Sequence, residues 1–203
     1  MIHKRLFLID VDGVLADNSS RLQYLKDKDY DNFYDAAKVL EDIPLPQSEL
    51  ITDAINALGW REKEIAVVTG RPERLRKTTQ YWIDCNTKLY GLNYNLSRFR
   101  KDDDHRKSDV VKAEMVSQIL DETKEIGIEE VVIIDDDPTN VVAMQGVVNA
   151  RGMQCNAIIF GTNRLDKISG YVPNISSVVE HDTDKSSRKS LLSAFRERRN
   201  HHH

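Results

Sequence analysis

An apolar run, Leu6-Phe7-Leu8-Ile9, delivers two carboxylates onto a glycine as Asp10-Val11-Asp12-Gly13-Val14-Leu15. Four apolar residues that end in charge fit a buried strand whose carboxyl end opens onto a polar site. Side chains two apart along a strand leave the backbone on the same side, so Asp10 and Asp12 face one point while Val11 turns into the core. Two ionised carboxylates about 4 Å apart repel by about 4 kcal/mol at an effective dielectric near 20. Such a pair wants a cation, a shared proton or open water, and a metal site is the first expectation.

Further along, strand-like and helix-like spacing alternate, which predicts a parallel sheet covered by helices. Leu50, Ile51, Ala54, Ile55 and Leu58 share a helical face, with Gly59 placed to end that helix. Ile65-Ala66-Val67-Val68 reads as a second buried strand that stops at Thr69-Gly70-Arg71, and Pro72 opens a helix whose Leu75, Thr79 and Trp82 face inward. Ser108 is the expected N-cap of a third helix, with Val111, Met115, Val116, Ile119 and Leu120 forming its apolar stripe. Val131-Val132-Ile133-Ile134 then runs into Asp135-Asp136-Asp137-Pro138, with a helix from Pro138 through Met144. Ala157-Ile158-Ile159-Phe160 is one more strand, after which periodicity fades and the domain is expected to close near residue 162. Ligands of open parallel sheets bind outside the carboxyl ends of the strands, where all of these polar residues fall.

With 203 residues and 40% apolar content, the chain suits one medium-sized domain with a small insertion. No apolar stretch reaches the 18 or more residues of a membrane span, and the run after Met1 lacks the features of a signal peptide, so a soluble, cytoplasmic protein without a membrane partner is expected. Cys85 and Cys155 stand apart from any metal-type spacing and are expected to be buried and unpaired. His201-His202-His203 looks like a purification-tag remnant. The net charge of -4 is unevenly spread: residues 181–200 hold six Lys or Arg against three acids, net +3, leaving -7 for residues 1–180. The segment from 163 to 200 therefore reads as an extension, basic at its end. It could touch nucleic acid phosphates, against the plainer reading of a solvated terminus.

In order, Asp10-Val11-Asp12-Gly13-Val14-Leu15, Val68-Thr69-Gly70-Arg71, Lys107 and Ile134-Asp135-Asp136 resemble the motifs of haloacid dehalogenase-type phosphatases, over roughly residues 5–160. A narrower resemblance is to the phosphatase domain of phage polynucleotide kinase-phosphatases. It is carried by Asp12-Gly13-Val14-Leu15-Ala16, Thr69-Gly70-Arg71 and Arg106-Lys107-Ser108-Asp109-Val110-Val111-Lys112, with Arg21 at the place of a functional arginine. The resemblance implies a Rossmann-like three-layer α/β fold over residues 1–162, with a central parallel sheet and a small helical cap, about residues 17–46, inserted after the first strand. No G-x-x-x-x-G-K-[ST] motif occurs, so a phosphorylating activity is not supported.

Phosphoryl transfer needs positioning and positive charge around the transferring oxygens. Asp10, ionised at neutral pH, is the expected nucleophile, giving a mixed anhydride that water splits. Asp12 would protonate the leaving oxygen and then take a proton from the water. Magnesium, a hard cation that takes oxygen from one or two carboxylates plus phosphate, is the expected cofactor, with Asp10 and Asp136 as side-chain ligands. By resemblance, the Asp12 carbonyl completes the set and Asp135 is a ligand or an orienting group. Asp137, directly before Pro138, is the expected helix cap. Thr69 would bond a phosphoryl oxygen, Lys107 would neutralise Asp10 and the phosphate, and Gly70, Arg71 and Arg21 would bind substrate. Each residue alone has a plainer reading, as a turn aspartate, a strand threonine or a solvated lysine, and only the constellation outweighs it. A calcium loop is excluded, because its sixth and twelfth positions would be Leu15 and Arg21 in place of Gly and Glu.

A cap this short leaves a site open, which favours a polymer end over an enclosed metabolite. Its Tyr24, Tyr30, Phe33 and Tyr34 could stack a base or simply form a mini-core. The expected activity is removal of a 3'-phosphate from a nucleic acid end, with a separate kinase or ligase as a possible partner. The alternatives are a nucleotidase acting on free nucleoside monophosphates and a non-catalytic module that binds phosphorylated ends.

Overall fold

The computed structural model describes residues 4–86, 89–161 and 175–180. Strand β1 (Arg5–Ile9) is buried on both faces. Phe7 and Ile9 pack on one side with Ile51 and Ile55 of α4 (Pro46–Asn56) and Trp82 and Ile83 of α5 (Arg76–Cys85). Leu6 and Leu8 pack on the other with Val111, Met115 and Ile119 of α6 (Ser108–Glu122) and Val141, Met144 and Val148 of α7 (Pro138–Ala150). Two apolar layers on one sheet are the three-layer α/β architecture expected from the alternation of runs.

The remaining sheet strands are β4 (Lys63–Pro72), β5 (Leu96–Arg100), β6 (Glu130–Asp135), β7 (Gln154–Gly161) and β8 (Ile175–Glu180), in the order β5-β4-β1-β6-β7-β8 and parallel throughout. This is the doubly wound order in which successive connections run one way from β1 to β5 and then the other, opening a crevice between the carboxyl ends of β1 and β6. Ile9 is level with Val67 on one side and Ile134 on the other, so Asp10 emerges beside Asp135. The sheet does not stop near residue 162, because β8 adds a sixth strand beside β7. Most of the predicted extension, including the basic run from Lys185 to Arg199 and the terminal histidines, lies outside the described residues.

Some local expectations shift. The helix expected to open at Pro72 begins at Arg76, since Pro72 still belongs to β4 and a short 3-10 turn intervenes. Lys107 rather than Ser108 occupies the cap position of α6. Cys155 is buried, but Cys85 is exposed, because it ends α5 on the face turned from the sheet.

Between β1 and β4 the chain builds the cap. A two-residue antiparallel pair, β2 (Ala16–Asp17) and β3 (Ile43–Pro44), closes it at the base. It carries α1 (Leu22–Lys26), α2 (Tyr30–Phe33) and α3 (Ala36–Leu40), the last two capped by the Asp29 and Asp35 carboxylates.

Candidate active site

The turn after β1 is tied by Val11, whose carbonyl accepts from the amides of Leu15 and Ala16 at 2.8 Å each. Gly13 sits in it at φ +81°, and a Cβ there would lie 2.2 Å from Asp136 Oδ2. Both the backbone conformation and the approach of Asp136 require glycine. On the facing side, β4 loses regular pairing with β5 after Val68, freeing Thr69-Gly70-Arg71 to line the crevice.

Asp10 shares the face of Leu6 and Leu8 and so points toward α6, where it meets Lys112. The Lys112 ammonium lies 2.6 Å from Asp10 Oδ2 and 2.7 Å from Asp135 Oδ2, and its side chain is only 2% exposed. This corrects the sequence assignment, because Lys107, at the mouth of α6, is exposed. Lys112 is one turn before Val116 on the buried stripe, so α6 aims it at the sheet. A lysine at that apolar position was the signal available in the sequence.

Asp10, Asp135 and Asp136 each offer an oxygen within 4.8 Å of the others. Three carboxylates against one ammonium leave a formal charge of -2 in a desolvated pocket, and the all-oxygen donor set matches a hard divalent cation. Burial, opposed by Lys112 but reinforced by Asp135 and Asp136, raises the Asp10 carboxyl well above its usual range. Burial and the charge of Asp135 push Asp136 up to about 7. These two neighbours differ in their bonds. Asp135 is buried and accepts from Lys112, from the Asp137 amide at 2.9 Å and from Asn140 Nδ2 at 3.2 Å, as an orienting group does. Asp136 is half-buried, and its carboxylate has no donor among the described residues. Asp137 caps α7 through the Thr139 amide, as expected.

Asp12 is held differently. Arg71 grips it with Nε at 3.0 Å and Nη2 at 2.7 Å, and Arg21 adds Nη2 at 3.2 Å. Burial would raise its carboxyl, but these guanidinium groups outweigh burial and hold it below the usual range. A second carboxylate, Asp42 of the cap, completes the network: it accepts from Arg21 Nε at 2.8 Å, Arg21 Nη2 at 2.6 Å and Arg71 Nη2 at 2.8 Å. Two cations and two anions thus balance, and three of the four side chains are almost wholly buried. Arg21 and Arg71, the arginines expected to bind substrate, are thus engaged by Asp12 and Asp42 where cap meets core. Trp82 strengthens that joint by donating Nε1 to the Asp42 carbonyl at 2.8 Å. Asp42 itself carried no sequence signal beyond an acid before a proline-rich turn.

Thr69 is fully buried, and its Oγ1 accepts the Arg71 amide at 3.2 Å, leaving the hydroxyl proton to donate. The cap aromatics divide. Phe33 is buried under Arg21, 4.7 Å from its ring, and Tyr34 meets Phe33 edge to face at 4.7 Å, while Tyr30 is exposed. No helix among the described residues is long and apolar enough to cross a membrane.

No curated protein sequence matches the chain. Among solved structures, a UDP-N-acetylglucosamine 2-epimerase overlaps 77% of this chain and 32% of its own, at 10% identity and a TM-score of 0.37, too loosely to bear on function. A family model described as the polynucleotide kinase PNKP phosphatase domain matches residues 4–162, which span every strand and carboxylate of the crevice. The chain therefore belongs to the PNKP phosphatase domain family of haloacid dehalogenase-type phosphatases.

Proposed function

We propose that the chain is a magnesium-dependent phosphomonoesterase that acts through an aspartyl-phosphate on Asp10 and removes 3'-phosphates from nucleic acid ends. The observation that carries the chemistry is the pairing of Asp10 with buried Lys112 beside Asp135 and Asp136 at the crevice. A carboxylate that must attack a phosphate dianion needs positive charge around it, and Lys112 supplies one fixed positive charge. Asp10 and Asp136 would hold Mg2+, with Asp135 orienting, and the ion when bound would neutralise charge on the phosphoryl oxygens.

Asp10 attacks phosphorus, the bond to the leaving oxygen breaks, and that oxygen takes a proton from Asp12. Water then attacks the same phosphorus, yields a proton to Asp12, and the bond to Asp10 breaks to release phosphate. Resting Asp12 is poised as the base of the second step. An arriving phosphate raises its proton affinity by like-charge repulsion, which readies it as the acid of the first. Thr69 donates to a phosphoryl oxygen.

The cap supports a polymer end as substrate, since its helices are four or five residues long and buried ion pairs pin them to the core. Phosphate release from a 3'-phosphorylated oligonucleotide, a 5'-phosphorylated one and free mononucleotides, each with and without magnesium, tests the reading. The 3'-phosphorylated oligonucleotide is expected to react fastest and only with metal, and Asp10→Asn to abolish turnover. Faster turnover of mononucleotides would replace the substrate by the nucleotidase alternative, and metal-independent release would refute the cofactor.

A further inference from the structure

Arg100 ends β5 beside the crevice and differs from the arginines around it. Its guanidinium donates from Nε to the Gly70 carbonyl at 3.3 Å, and from Nη1 to the carbonyls of Asp104 at 3.2 Å and Arg106 at 2.6 Å. All three partners are neutral. Among the described residues no carboxylate pairs with it, and its Nη2 has no acceptor. The arginines around it are compensated: Arg21 and Arg71 by Asp12 and Asp42, Arg76 by Glu73, Arg98 by Glu122, and Arg106 by Asp104 and Glu114. The nearby carboxylate of Asp104 is occupied by Arg106 at 2.6 Å.

A half-buried guanidinium held rigidly by three carbonyls, with one edge uncommitted, is built to receive an anion. Its position says which. Gly70, to which it is tied, lies between Thr69 and Arg71, so Arg100 adjoins the site without touching Asp10. Strands in a sheet are about 4.8 Å apart, and β4 lies between β5 and β1, which sets Arg100 sideways from Asp10 by two spacings, about 10 Å. A phosphoryl bonded to Asp10 is nearer to Lys112. The hydroxyl of Tyr34, from the cap, is within electrostatic reach of both Asp12 and Arg100.

We infer that Arg100 binds the phosphodiester of the nucleotide preceding the reacting 3'-phosphate, and so is the group by which this chain prefers a polymer end to a mononucleotide. The inference rests on the polynucleotide reading above and is tested apart from it.

Two measurements compare the wild type with Arg100→Gln and Arg100→Lys, after thermal melts establish that both variants fold. The first is the ratio of kcat/KM for a 3'-phosphorylated dinucleotide to that for a nucleoside 3'-monophosphate. Arg100→Gln is expected to lower this ratio about tenfold, the scale of one charge-assisted hydrogen bond, through KM of the dinucleotide. A kcat loss shared equally by both substrates would overturn the inference, because Arg100 would then serve the reacting phosphoryl. The second is the salt dependence of binding a short 3'-hydroxyl oligonucleotide, which needs no turnover. The slope should fall by about 0.7 in Arg100→Gln, as for one phosphate of a single strand, and persist in Arg100→Lys, which keeps the charge. An unchanged slope in Arg100→Gln, or an equal loss in Arg100→Lys, would remove the contact. A wild type that binds with this Arg100-dependent slope but releases no 3'-phosphate would overturn the proposed reaction and leave the anion site standing.

Discussion

Replacing Lys112 by Met removes a cation while keeping most of the volume that α6 packs against the sheet. The ammonium now lies 2.6 Å and 2.7 Å from two carboxylates that are themselves almost fully buried. Removing one partner of a buried ion pair costs about 3–5 kcal/mol, because the remaining charge has neither water nor counterion. For a domain of this size each kcal/mol corresponds to about 2–4 °C, so the melting temperature should drop by roughly 6–20 °C. The loss should be greater at pH 8 than at pH 5, since protonation of Asp10 relieves the uncompensated charge, and added Mg2+ should restore part of it. Phosphate release should fall by about 100-fold or more, the usual consequence of losing one fixed group that stabilises developing charge. Lys107→Met is the control: the side chain is exposed at the mouth of α6, and its stability effect should stay within about 0.5 kcal/mol. Thermal melts across pH, with and without Mg2+, and phosphate-release rates decide the matter. Wild-type stability and turnover in Lys112→Met, or loss of turnover confined to Lys107→Met, would refute the assignment.

The carboxylate cluster makes metal binding pH-dependent. Asp136 titrates near 7 in the folded chain against an ordinary 3.8, so without metal the unfolded state releases its proton first and stability falls as pH rises across that window. A bound cation takes the proton's place, and the melting-temperature gain from Mg2+ should be larger at pH 7.5 than at pH 5.5; equal gains would disprove the linkage. Asp42→Asn should destabilise the fold by about 3–5 kcal/mol in urea unfolding, because two buried guanidinium groups would share only Asp12, and turnover should fall as Asp12 loses its fixed orientation. Unchanged unfolding would mean that the cap is not held by this network.

How much of this was readable depended on whether a residue's role is set locally. Strands β1, β4, β6 and β7 announce themselves as apolar runs because both of their faces are buried. Strand β5, Leu96-Ser97-Arg98-Phe99-Arg100, escaped notice because it lies at the sheet edge and buries only Phe99 fully. The helix positions of α4, α6 and α7 followed from their stripes, with ends shifted by a residue or a few. Strand β8 was missed as well, since no strongly periodic pattern in the sequence after Phe160 marks its short run as part of the domain.

The same distinction runs through the site. Asp10, Asp12 and Gly13 were legible because strand periodicity orients two carboxylates and a tight turn demands glycine, all within four residues. Which cation each carboxylate finds was not. Lys107 and Lys112 are both near the start of one helix, and only the packing of α6 on the sheet turns Lys112 inward and leaves Lys107 in solvent. Arg21 and Arg71 stand out in the chain as functional, yet their partners, Asp12 and Asp42, come from segments up to 59 residues away. Sequence by itself determined the fold class and the placing of Asp10 and Asp12 at the end of the first strand, because hydrophobic periodicity and strand geometry act over a few residues. The pairing of charges was left to the tertiary structure, since an ion pair depends on distance and desolvation in space, and neither is written in the order of the residues.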